Sequence, residues 1–141
     1  MKKSEQTLFR FAIVASTVAF AIYFWLPELG YPVAGSDLAA IQTRLDGYGA
    51  LLEPTWVIYW GHFLLGVLVP AACYFYLPYS RGLFVVLQVF NMGSALLYGV
   101  RVLGPLESTL SYALCVVDGA IIAMMYFCEP LAERFTNGRS A

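Results

Sequence analysis

The stretch STLSYALCVVDGAIIAMMYFC, residues 108–128, decides the fold of this chain. As an α-helix it is about 30 Å long, the thickness of the hydrocarbon core of a bilayer. It holds one charged residue, Asp118, near its middle. A carboxylate at that depth costs about 2.5–3.5 kcal/mol on insertion scales, so groups elsewhere in the chain must come to meet it.

Moving outward, the same pattern repeats. Residues 54–80 contain no Asp, Glu, Lys or Arg, and residues 82–100 are likewise uncharged. Residues 11–26 form another uncharged apolar run. That run ends in bulky Tyr23, Phe24, Trp25 and Leu26 rather than in the small residues a signal peptidase needs, so it reads as a retained helix. Of the 141 residues, 60% are hydrophobic and 12% charged, against about 25% charged in soluble domains. The expectation is an all-α polytopic membrane protein, a bundle of four transmembrane helices at about residues 11–27, 54–77, 82–102 and 108–128. Residues 1–10 form a cytoplasmic N-terminus, 11–135 a single domain and 136–141 a flexible tail.

Residues 28–53 form an acidic, glycine-rich outer loop. Ser36 and Asp37 can cap a short helix there, and Leu38, Ile41 and Leu45 give it one apolar face, as expected of a helix lying at the membrane interface. Orientation follows from the basic residues. With both termini inside, Lys2, Lys3, Arg10, Arg81, Arg134 and Arg139 are cytoplasmic, and only Arg44 and Arg101 are outside. Trp25, Trp56 and Trp60 then lie toward the outer interface and Tyr74, Tyr76 and Tyr79 toward the inner one, as aromatic belts. This points to a bacterial-type inner membrane.

At 100° per residue, each of the last three helices gathers its polar groups into one arc. The arcs hold Thr55, Tyr59, His62, Gly66, Pro70 and Cys73; then Gln88, Asn91, Ser94, Tyr98 and Arg101; then Ser108, Ser111, Cys115, Asp118 and Met125. His62, Asn91 and Asp118 come at similar depth, so an intramembrane cluster of these three is the expected way to satisfy the carboxylate. Arg101 is the rival partner, although Glu107 is the nearer mate for that arginine. The first helix offers only Ser16 and Thr17 as polar groups, so a peripheral place is expected for it. Its small-residue stripe of Ala12, Ala15, Ser16 and Ala19 permits close packing in the bundle or against another protein.

Several function classes are excluded or disfavoured. A net charge of −1 argues against a nucleic-acid partner. The single histidine rules out a bis-histidine haem within one chain and any multi-histidine zinc site. Cys73, Cys115 and Cys128 form no CxxC motif, and neither GxSxG nor HExxH occurs. Hydrolysis would have to recruit Ser94 to His62 and Asp118, which is disfavoured. The basic residues are too scattered along the chain for a polybasic lipid site. No catalytic residue, metal or cofactor is expected. The remaining reading is a non-enzymatic protein of the bilayer that acts through another membrane protein or by self-association, in an accessory, regulatory or immunity-type role. The alternative is a small oligomeric transporter or channel that handles protons or a small cation through Asp118 and His62, with an enzyme or a quinone- or lipid-binding protein as the third class.

Overall fold

A computed structural model describes residues 3–26, 41, 44–45, 48–51, 55–99 and 103–137. Five helices occur among them: α1 Lys3–Trp25, α2 Trp56–Tyr74, α3 Ser80–Tyr98, α4 Pro105–Phe127 and α5 Glu129–Asn137. Three are long and apolar enough to cross a membrane, with spans at Ser4–Trp25, Trp56–Tyr74 and Pro105–Phe127. The third long helix in chain order, α3, has 19 residues, about 28 Å of length. Most of the loop helix expected near residue 40 lies outside the described residues. Ile41, Arg44 and Leu45, which are described, have helical backbone and exposed side chains.

Local chemistry sets the helix limits. α1 begins at Lys3, inside the polar start, because Ser4, Glu5 and Gln6 tolerate a first turn and Glu5 favours the positive end of the helix dipole. Thr55 caps α2 by accepting from the Ile58 N–H. Gly99 ends α3 with φ +77°, a conformation that glycine adopts without steric cost. At the start of α4, Pro105 occupies the first turn and the Glu107 carboxylate accepts from the Gly104 N–H at 2.8 Å.

Pro130 explains the break that follows. Without an N–H, and with a ring that would strike the carbonyl four residues back, it cannot continue α4. Cys128 turns extended, and its carbonyl accepts from the N–H groups of Leu131 and Ala132 to start α5. The helix so formed runs through Thr136 to Asn137, residues expected to belong to a loose tail, and residues 138–141 lie outside the described set. Leu131 and Phe135, one turn apart, are its buried face.

α1 packs against both α2 and α4, and α3 packs against the same two helices. The first helix is therefore not peripheral. Its small stripe faces inward, with Ser16 buried and Ala12, Ala15 and Ala19 half-buried. The best-packed region is the end where α1 starts, α2 and α4 finish and α5 folds back. There Phe9, Ile13, Cys73, Phe84, Ile121, Met125, Leu131 and Phe135 form one core. Phe9 stacks on Tyr76 at 5.7 Å and meets Phe135 edge-on at 6.1 Å. Tyr76 and Tyr79 in the α2–α3 turn hold φ values of +56° and +71°. Such conformations cost about 1–3 kcal/mol each, which the ring contacts of Tyr76 offset.

At the opposite end, an aromatic cluster joins α1 to α2. Phe24 lies 4.2 Å from Tyr59 and 4.6 Å from Phe63, and Trp25 meets Trp60 at 5.8 Å. Between the two ends the Phe20 ring of α1 lies against Gly66 of α2, where an added β-carbon would overlap it. Gly119 on α4 has no heavy atom within 4 Å of that position. Gly66→Ala should therefore cost about 1–3 kcal/mol through overpacking, read as a lower midpoint in thermal unfolding by circular dichroism in mild detergent. Gly119→Ala should leave the midpoint unchanged or raised; equal losses at the two positions would refute the close approach.

Candidate functional site

Asp118 is buried, with 8% of its surface exposed. Its position comes from the phase of α4: Ile121 and Met125, one and two turns further on, are fully buried on the same face. Two donors reach the carboxylate. The Ser16 hydroxyl of α1 donates to Oδ1 at 2.5 Å, across 102 residues of sequence. The Gln88 side chain of α3 is the second to interact with the carboxylate. The Gln88 Oε1 in turn accepts from Asn91 Nδ2 at 3.4 Å, and the Ser94 hydroxyl donates to the Asn91 carbonyl at 2.7 Å.

The result is a polar chain across three helices, Ser16–Asp118–Gln88–Asn91. Counted along their helices, Ser16, Asp118 and Gln88 each lie about 12–20 Å from either end, which places the chain at mid-height. A carboxylate there is tolerable because the Ser16 hydroxyl and the neighbouring Gln88 amide replace part of the hydration it has lost.

The residues singled out from sequence fall into distinct places. Gln88, Asn91 and Asp118 come together, with Asn91 one step back through Gln88. The His62 ring lies between those of Phe20 and Phe90, 5.9 Å from each. Tyr59 belongs to the aromatic cluster beside Phe24. Ser94 turns its hydroxyl to its own helix, Tyr98 is the last residue of α3, and Glu107 caps α4. Arg101 lies outside the described residues.

Ser16 is the partner that the sequence reading passed over. Its signal was available: a small polar residue amid alanines on one face of an otherwise apolar helix is a common donor between membrane helices. Cys115 was assigned to the interior arc and is exposed instead. It sits some 60° from Asp118 around the helix, just past the edge of the buried face. With Gly119 and Ala123, also exposed, it forms an outward stripe of small residues at four-residue spacing.

Among the described residues no three His, Cys, Asp or Glu side chains converge to hold a metal ion. Comparison with models of protein families, with curated proteins and with solved structures finds no match to the chain.

The geometry makes the Ser16–Asp118 bond separable from mere packing. Ser16→Ala should cost about 1 kcal/mol or more, above the roughly 0.6 kcal/mol average for interhelical bonds in membranes, because it strips a donor from a buried carboxylate. In an Asp118→Leu background, the same substitution should cost almost nothing. Thermal unfolding of the four proteins in detergent checks this; equal losses in both backgrounds would sink the assignment.

Proposed function

We propose that this chain is a small integral membrane protein, a four-helix transmembrane bundle with a short interfacial helix in its one long loop, that acts without catalysing a reaction. Its work is to bind another membrane protein, or a second copy of itself, within the bilayer, in an accessory, regulatory or immunity-type role. The excess of basic residues on one side of the spans supports a bacterial-type inner membrane with both termini in the cytoplasm.

The observation that carries this reading is the contrast between the two faces of α4. Inward, Asp118 is bonded by Ser16 and Gln88, so the costly polar group is used to hold helices together. Outward, Tyr112, Val116 and Phe127 are exposed, with the small residues Cys115, Gly119 and Ala123 among them. Small residues at this spacing let a second helix approach closely in lipid, where van der Waals packing rather than water exclusion drives association.

Cys115 supplies its own probe. A thiol-directed photocrosslinker at Cys115 in native membranes, in a chain whose Cys73 and Cys128 are replaced by Ser, should give one discrete adduct, to a partner or to a second copy. Gly119→Leu should abolish it while leaving the amount of protein in the membrane unchanged. Recovery of the chain alone, or an adduct indifferent to Gly119→Leu, would refute docking on this face.

A second reading, a small proton- or cation-handling transporter, draws support from one atom. Asn91 Oδ1, at the end of the polar chain, is enclosed and has no donor among the described residues, so a water or an ion could meet it. On this reading Asp118→Asn should abolish proton or cation flux into liposomes; flux at the level of empty liposomes with the unaltered chain rejects it.

A further inference from the structure

The fold gathers basic residues that are far apart in sequence. Arg10 of α1 stands over Tyr74 at 4.9 Å and Tyr76 at 5.5 Å, and Arg134 of α5 lies over Tyr76 at 5.5 Å. Arg81 of α3 stands over Tyr126 of α4 at 5.2 Å. All three occupy the α5 end, and among the described residues none is paired with a carboxylate. Arg10 Nε is buried and has no hydrogen-bond partner among the described residues. Scattered along the chain, these three cations come to the same end of the fold.

One of them faces open space. A groove of about 500 Å³ lies between the first turn of α3 and the last turn of α4, with α5 as its floor. Arg81, Leu83, Tyr126, Phe135 and Thr136 line it, with the α2–α3 turn, and no acidic side chain among the described residues does. Glu129 and Glu133 of α5 are exposed and lie outside that lining. The volume suits a small polar ligand. The groove's height suits a lipid headgroup, because it sits where α3 begins and α4 ends, while exposed Leu83 and Val86 continue from it along α3 as an apolar track.

We propose that this groove holds the headgroup of an anionic phospholipid, with the Arg81 guanidinium on its phosphate and an acyl chain along α3. The proposal rests on the membrane placement above and on no particular partner. Arg81 offers a planar set of donors that matches phosphate oxygens, and the Tyr126 ring beneath it fixes its plane. The first turn of α3, which lacks a side-chain cap, adds its dipole in the same direction.

The full chain, reconstituted into nanodiscs of equal phosphatidylglycerol and phosphatidylcholine and released into mild detergent, would be analysed by native mass spectrometry for retained lipid. Phosphatidylglycerol should be retained about fivefold over phosphatidylcholine, the preference expected of one basic residue near the surface. Arg81→Gln should bring the ratio close to one. Arg81→Lys, which keeps the charge but loses the planar donors, should retain part of the preference, and Arg44→Gln, in the loop between α1 and α2, should preserve most of it. Equal retention by the unaltered chain, or enrichment that survives Arg81→Gln, would overturn the site while leaving the membrane placement standing. Failure of the unaltered chain to enter the bilayer would overturn both.

Discussion

A carboxylate at mid-height of α4 must be met by donors from other helices, and that requirement fixes how the rest of the chain assembles. Ser16 and Gln88 meet Asp118 from α1 and α3. Their combined hold sets the rotation of α4 about its axis, since a turn of 100° in either direction would face the carboxylate toward lipid. It also sets the axial register of α1 against α4, because a shift of one turn moves the hydroxyl about 5.4 Å away. Apolar packing alone discriminates poorly between such alternatives, lipid tails being as apolar as the side chains. The bonds are modest in energy, yet arrangements that leave the carboxylate without a donor are costly, and that difference disfavours them.

On either side of this polar chain the protein uses aromatic rings, with different partners at each end. At the end where α1 finishes, Phe24, Tyr59, Trp60 and Phe63 pack on one another and tie α1 to α2. At the α5 end, Tyr74, Tyr76 and Tyr126 carry arginines on their faces. Cations over rings keep part of their hydration on the open side, an arrangement suited to the boundary between apolar core and headgroups. The mid-height layer thus supplies specificity, and the two ends supply anchoring.

Much of this was legible in the chain. The long apolar runs, the turns at Pro78 and at Gly104–Pro105, and the inward direction of Asp118 follow from composition and helical period, which are local properties. The identity of the donor to Asp118 was not, since it depends on the rotation of α1 about its axis, and an alanine-rich helix gives little periodic contrast. His62 drew attention as the one titratable side chain at matching depth, whereas the hydroxyl and amide donors come from residues of ordinary type. α5 was missed for another reason. Pro130 reads as a stop, but a proline near the start of a helix opens a new one as readily as it closes the last. The pair Leu131 and Phe135, one turn apart, marked the face that would be buried.

The bond between Ser16 and Asp118 joins residues 102 positions apart. A ribosome adding about 5–20 residues per second needs roughly 5–20 s to cover that distance. During that interval α1 is already made, with Ser16 and its flanking alanines not yet covered by α4. α4, when it arrives, carries a charge that lipid alone accepts poorly. The C-terminal turn of chain that holds Phe135 against Phe9 closes the structure only after that meeting. The two groups that fix the register of α1 against α4 therefore meet only once most of the chain has been made, and the earliest helix is built long before the one it holds.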